Sequence, residues 1–179
     1  MSPFGWVSES AQPRLLLVLT VLTVGVSARL GAAGAALETL AAPRGIISYE
    51  FAWSAAGAAA ILDSWDANAR AAAMFVQGLD GLFLLLYPAC LSLAVLRLGA
   101  RLGGGWARAG LWLSWAALLA APFDAVENHG LVRQLISGPS ELWARVSALC
   151  AIPKFALVGL GASFLVVGAL VGLARWLRR

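Results

Sequence analysis

Residues 71–96 read AAAMFVQGLDGLFLLLYPACLSLAVL, and this apolar run decides the fold class. Its one charged residue is Asp80. A helix of about 20 apolar residues is long enough to cross the hydrocarbon core of a bilayer, which is about 30 Å thick. The run therefore predicts a transmembrane helix with a single carboxyl group inside the membrane.

The chain contains three further apolar runs, one before this run and two after it, and its composition is that of a membrane protein. Hydrophobic residues make up 61% of the chain and charged residues 12%, a balance far from that of a water-soluble domain. The sequence thus predicts an all-α integral membrane protein, one domain over residues 1–179 formed by a bundle of four transmembrane helices. The predicted spans are about 15–37, 71–96, 107–128 and 144–176.

The first apolar run has two interpretations. Leu15 to Val26 would be the apolar core of a signal peptide, with the small residues 32–36 as its cleavage region, but Arg29 would then stand just before the cut. In a retained helix, the same arginine extends its charged group to the outer interface. The retained helix is the preferred interpretation, and the cleaved peptide stays open as the alternative.

The segment of about 41–66 is too polar to cross a membrane and too apolar to be a free linker. After the turn sequence Pro43-Arg44-Gly45, apolar residues recur every three or four positions, as on one face of a helix. We therefore predict an extracytoplasmic interfacial helix between the first and second spans. Asp63 and Ser64 offer an N-cap for the second span, with Asp66 in its first turn.

Basic residues indicate the orientation, because cytoplasmic loops of membrane proteins carry an excess of Lys and Arg. They gather in the glycine-rich loop after the second span and in the C-terminal tail: Arg97, Arg101, Arg108, Arg175, Arg178 and Arg179. Both termini are therefore expected in the cytoplasm. The abundance of Ala, Gly, Leu and Arg is typical of a GC-rich bacterial genome, which suggests a bacterial inner-membrane location.

The sequence lacks the features that are typical of several classes of function. The basic residues form no stripe interleaved with aromatic residues, so we expect no nucleic-acid partner. One histidine argues against a histidine-rich zinc site, and we expect neither a metal nor a cofactor. No GxSxG, Walker, dinucleotide-binding, CxxC or haem-attachment motif occurs. Whether the protein is an enzyme stays open.

Polar side chains inside the spans are the candidates for a site. An ionised carboxylate at depth costs at least about 2.5 kcal/mol, so it must face protein, find a partner or stay protonated. In the second span, Gln77, Asp80 and Tyr87 share one helical face. This polar stripe is expected to point inward.

The third and fourth spans bring further charged groups. Asp124, Glu127 and Asn128 share one face just past Pro122, whose missing N–H frees a carbonyl in the preceding turn. Lys154, the one lysine of the chain, is the expected counter-ion of these acids. From the interfacial segment, Tyr49 and Glu50 could fold over the cluster as a lid.

Three short patterns resemble those of an uncharacterised family of bacterial four-span membrane proteins. They are residues 49–52 (YEFA), residues 79–83 (LDGLF) with Tyr87, and residues 123–128 (FDAVEN). More remotely, the layout resembles the EXPERA group, which includes sterol isomerases and a lumenal sterol- and amine-binding receptor. That resemblance implies that Asp80 and Glu127 correspond to acids facing a hydrophobic ligand pocket.

The acids outnumber the lysine, and an unneutralised site needs a proton or a cationic ligand. The leading hypothesis is an outer-leaflet pocket that binds or converts a hydrophobic or amphiphilic small molecule, in a protein surrounded by membrane lipids. A proton- or cation-coupled transporter is the first alternative, acting as a homodimer through Gly168 and Gly172. A satisfied polar clamp in a structural subunit of a membrane complex is the second.

Overall fold

The computed structural model describes residues 1–178 and contains helices but no strand in that range. Arg179, counted above with the basic tail, lies outside the described residues. The helices are α1 (Gln12–Gly34), α2 (Ile46–Glu50), α3 (Ala55–Ser64), α4 (Ala67–Leu102), α5 (Gly104–Leu118), α6 (Ala120–Ser137) and α7 (Glu141–Leu177). A 3-10 turn, Ala35–Leu37, extends α1.

Four helical segments of residues 1–178 are long and apolar enough to cross a membrane: Gln12–Leu37, Ala67–Leu102, Gly104–Ser137 and Glu141–Leu177. The predicted all-α, four-span membrane fold is therefore confirmed, together with a helix, α3, between the first two spans. Each segment is longer than its predicted span. The pattern of apolar residues marks the part suited to lipid, whereas a helix continues for as long as its backbone bonds are satisfied.

Local sequence explains where the helices begin and end. The predicted cap of the second span is wrong, because Ser64 still belongs to α3 and Asp66 is the cap of α4, its Oδ1 accepting from Ala69 N at 2.8 Å. Between α4 and α5 the chain turns at Gly103 and Gly104, whose φ angles of 72° and 55° suit glycine.

The third span is interrupted at Leu119, where α5 ends and α6 follows. Pro122 has no N–H to donate to the carbonyl of residue 118, which weakens the α-helical bond pattern in this turn. Leu119 N instead donates to Ala116 O at 3.0 Å, a tighter turn. The break immediately precedes the acidic part of α6.

The chain divides into two compact units. The first contains Met1–Thr23, Leu86–Ala120 and the described part of Phe155–Arg179, and the second contains Val24–Leu85 and Ala121–Lys154.

In the first unit, glycines let α4 and α7 approach each other. A Cβ added at Gly161 would lie 2.8 Å from Leu91 Cδ2, and one at Gly168 would lie 2.7 Å from Leu98 Cδ2. The two leucines and the two glycines have the same spacing of seven residues, so the helices run parallel. Gly168 of the GxxxG pattern thus packs within the chain, which supplies a structural reason for this glycine.

The core of the second unit forms around the segment between the first two spans. Ala58, Leu62 and Trp65, which lie on the apolar face predicted for this segment, are buried, and Trp65 Nε1 donates to Leu37 O at 2.9 Å. Tyr49 is buried beside them. This core fixes the end of α2, where Glu50 lies.

Candidate functional site

The acidic residues of the candidate site come from three helices, α2, α4 and α6, and the helical repeat explains the grouping on α6. On α6, Asp124, Glu127 and Asn128 share one face because they lie three and four residues apart. Gly130 lets α7 approach this face, since a Cβ there would lie 2.5 Å from Ser147 Oγ. Ser147 Oγ also donates to the Glu127 carbonyl at 3.2 Å.

Lys154 lies two turns beyond Ser147 on α7 and forms the centre of the acidic cluster. Its Nζ lies 2.7 Å from Glu127 Oε1, 3.4 Å from Asp124 Oδ1 and 3.6 Å from Glu50 Oε2. All four side chains are buried. The predicted pairing of the lysine with the acids of the third span is confirmed, and Glu50 joins them from α2.

Three carboxyl groups around one ammonium leave a surplus of acid. Burial raises the pKa of Glu50, and the neighbouring Lys154 ammonium and a hydrogen bond with Glu127 oppose this rise in part. Two carboxyl groups can share such a bond only when one of them carries a proton. We therefore describe Glu50 and Glu127 as a carboxyl pair able to hold a proton.

Asp80 of α4 belongs to the same unit but has a different partner. Its Oδ2 accepts a hydrogen bond from Asn128 Nδ2, which links α4 to α6. Within residues 1–178, Asp80 forms no ion pair. The Asn128 amide is neutral, so this hydrogen bond supplies Asp80 with a donor but with no counter-charge.

A cavity of about 330 Å³ in the second unit is lined by Asp80 and Glu50 together with Gln77. Its apolar wall consists of Leu30, Ile46, Ile47, Val76 and Phe83. The exposed side chains of Glu38 and Arg44 also line it, so it reaches the protein surface there. The cavity thus combines apolar walls with three carboxyl groups and one guanidinium.

Gln77 supplies an unsatisfied acceptor at this cavity. Its side chain is only 5% exposed, and its Oε1 has no hydrogen-bond partner among residues 1–178. A buried polar atom of this kind is costly to leave unpaired, by about 1 to 3 kcal/mol. Gln77 thus contributes to the cavity lining a side chain whose oxygen has no donor within residues 1–178.

Tyr49 and Tyr87, which also belong to the predicted site residues, do not line this cavity. Tyr49 is fully buried in the core, its ring edge packed on Trp65 and its hydroxyl donating to Leu131 O at 3.4 Å. Burial raises the pKa of this hydroxyl, which keeps it a neutral donor. Tyr87 belongs to the first unit, whereas Gln77 and Asp80 belong to the second.

Sequence reasoning missed the contribution of α1 and of the turn before α2. Ser27, Leu30, Gly31 and Gly34 line the cavity, but small and apolar residues carry no chemical signal. Gly45, with φ of 54°, lets the loop approach α1, because a Cβ there would lie 3.3 Å from Gly34 O. The turn sequence around it was the available signal.

The fold and the site define an all-α membrane protein with four spans and a buried, lysine-centred acidic cluster beside an apolar cavity. No three His, Cys, Asp or Glu side chains of residues 1–178 are placed to hold a metal ion together. In comparisons with known proteins, no family model, no curated protein and no solved structure matches the chain.

Proposed function

We propose that the protein binds an amphiphilic small molecule with a positively charged, hydrogen-bonding head in the acid-lined cavity of the second unit. The observation that carries this proposal is a cavity lined by Asp80, Glu50 and Gln77, in which Gln77 Oε1 has no hydrogen-bond partner within residues 1–178. In the orientation expected from the basic loops, the cavity lies on the outer-leaflet side.

The size and the walls of the cavity support an amphiphile. Binding pockets for small molecules measure about 300 to 1,000 Å³ and combine apolar walls with a few placed polar groups. The volume here is about 330 Å³, at the small end of that range. An apolar tail would pack against Leu30, Val76 and Phe83, which line the cavity.

The polar groups of the cavity favour a cationic head. Gln77 Oε1 and the Asp80 carboxylate are acceptors, and the Lys154 ammonium is already bound to the acids of α6. A protonated amine supplies donors to both acceptors and a charge to Asp80. An anionic head would instead meet three carboxyl groups and a single guanidinium, that of Arg44.

Conversion of the ligand is the second candidate, favoured by the carboxyl pair of Glu50 and Glu127. Glu50 lines the cavity, and the pair can hold a proton at its edge. Such a group could act as a general acid toward a bound double bond. The remote resemblance to EXPERA isomerases motivates the same role, in which Glu50 would donate a proton to the double bond and Asp80, which also lines the cavity, would remove one elsewhere on the ligand.

Native mass spectrometry of the purified protein in mild detergent tests the binding proposal. We expect a small molecule that co-purifies with the wild type and is lost from Asp80→Asn, which keeps the shape of the side chain but removes its charge. Asp63→Asn is the matched control, because Asp63 is exposed and lies outside the cavity lining. That control should retain the molecule.

The thermal unfolding midpoint of each variant decides how a loss is interpreted. Loss of the molecule from a folded Asp80→Asn protein supports the pocket. If the wild-type protein carries no small molecule and does not bind added long-chain amines, the proposal is contradicted. That result favours the alternative in which the polar residues only hold the helices together.

A further inference from the structure

We propose that the first unit carries a binding site for an anionic phospholipid, whose phosphate is bound by Arg101 at the end of α4. Three cavities of this unit, of about 320, 400 and 350 Å³, share Arg101 in their lining. The inference is independent of the proposed function, since its residues belong to the first unit and the acid-lined cavity belongs to the second.

The guanidinium of Arg101 is available to a ligand. The residue is exposed, and no hydrogen bond or ion pair to it occurs within residues 1–178. A guanidinium presents five donors in a planar fork that matches a phosphate group. Arg101 also lies in the last turn of α4, where the helix dipole favours a positive charge.

Two further arginines line these cavities, and neither forms an ion pair with a carboxylate of residues 1–178. Arg97 Nη1 donates to Gln12 Oε1 at 3.2 Å, and Arg175 Nη1 donates to Leu102 O at 2.8 Å. The one acidic residue in the three linings is Glu9. Three guanidinium groups and one carboxylate give a positively charged site.

The two larger cavities extend from Arg101 along apolar side chains. The cavity of about 400 Å³ is lined by Leu16, Leu98 and Leu165, and the one of about 350 Å³ by Leu98, Leu102 and Trp176. Gly172 also lines the second one, and a Cβ there would meet only Leu102, at 3.8 Å. Apolar grooves on both sides of one arginine fit the acyl chains of a phospholipid.

The charge and the aromatic residue favour an anionic lipid over a zwitterionic one. The ammonium of an ethanolamine or choline head would lie among the positive charges of Arg97 and Arg175. An anionic head adds no such repulsion, and basic pockets on the cytoplasmic side of membrane proteins bind lipids of this kind. The exposed indole of Trp176 is a side chain typical of the headgroup level.

Lipid retention by the full-length protein tests the site. The delipidated protein is mixed with detergent micelles of phosphatidylglycerol, cardiolipin or phosphatidylethanolamine, and bound lipid is counted by native mass spectrometry. We expect the two anionic lipids to be retained and the ethanolamine lipid to be lost. Arg101→Gln should weaken retention of phosphatidylglycerol about fivefold, the effect expected of one basic residue at a membrane surface.

Arg108→Gln is the matched control, because it removes the same charge from an exposed arginine of the same unit that lines none of the three cavities. Equal losses in the two variants would show a general charge effect and overturn the site. Equal retention of anionic and zwitterionic lipids would also overturn it.

Inorganic phosphate distinguishes a lipid site from a simple anion site. If phosphate in the millimolar range displaces phosphatidylglycerol completely, the acyl grooves contribute nothing and the lipid assignment fails. If Arg101→Gln does not fold, Arg101→Lys replaces it. Lysine keeps the charge but loses the fork, so anionic lipid should be retained more weakly than by the wild type but still in preference to the ethanolamine lipid.

Discussion

Lys154 Nζ lies 2.7 Å from Glu127 Oε1, in a place where the lysine side chain is 7% exposed and the glutamate is fully buried. Asp124 Oδ1 and Glu50 Oε2 lie 3.4 and 3.6 Å from the same ammonium. The positive charge of Lys154 therefore offsets part of the free-energy cost of burying these three carboxyl groups.

Removal of this charge should destabilise the protein strongly. In Lys154→Met, three buried carboxyl groups lose their common counter-ion, and breaking a buried pair by removing one partner typically costs about 3 to 5 kcal/mol. Thermal unfolding in detergent measures the change. Arg145→Gln is the control, because it breaks an exposed pair with Glu141 and should have little effect. Equal effects of the two substitutions would contradict a central role for Lys154.

Glu50 should make the stability depend on pH. Because its pKa is raised in the folded protein, the folded state binds the Glu50 proton more tightly than the unfolded state does. Its contribution is fully present below the ordinary carboxyl pKa of about 4.3 and is lost as the pH rises through the folded-state pKa. The glutamine of Glu50→Gln has no proton to lose. The unfolding midpoint of this variant should therefore rise relative to that of the wild type as the pH increases. A constant difference in unfolding midpoint from pH 4 to 8 would contradict this.

The number and type of membrane helices followed from the sequence because lipid requires long apolar helices. The ends of these helices could not be predicted in the same way, because a helix continues beyond the lipid until a cap or a turn ends it. The acids of α6 and the lysine of α7 were grouped correctly because i, i+3 and i+4 positions share a face. The break at Leu119 agrees with the expectation that Pro122 disturbs the preceding turn.

The rest of the site could not be predicted, for geometric reasons. Tyr87 shares a helical face with Gln77, but ten residues of helix separate them by about 15 Å. Tyr49 and Glu50 are adjacent on α2, so their side chains point about 100° apart, and only one can face the acids. The proposed lid role of Glu50 stays a prediction, although the structure places its carboxylate beside Lys154.

The GxxxG pattern should respond unequally to substitution if it acts within the chain. A methyl group at Gly168 would lie 2.7 Å from Leu98, whereas one at Gly172 would have an ordinary contact at 3.8 Å from Leu102. Overpacking costs about 1 to 3 kcal/mol, so Gly168→Ala should lower the unfolding midpoint and Gly172→Ala should not. Sedimentation of both variants should show no change in oligomeric state. Loss of a dimer in both would instead support the transporter alternative.

Ligand selectivity should depend on the charge of Asp80. A long-chain alkylamine and the alcohol of the same chain length bury the same tail, and they differ in the head that meets Asp80 and Gln77. A hydrogen bond to a charged group contributes about 1.5 to 3 kcal/mol, so Asp80→Asn should weaken amine binding by about tenfold or more and leave alcohol binding nearly unchanged. Isothermal titration of both compounds measures this ratio. Asp63→Asn, which alters an exposed carboxylate of the same unit, should leave both affinities as they are. If the amine and the alcohol bind the wild type equally, then Asp80 does not recognise a cationic head, and the cavity selects its ligand through its apolar wall alone.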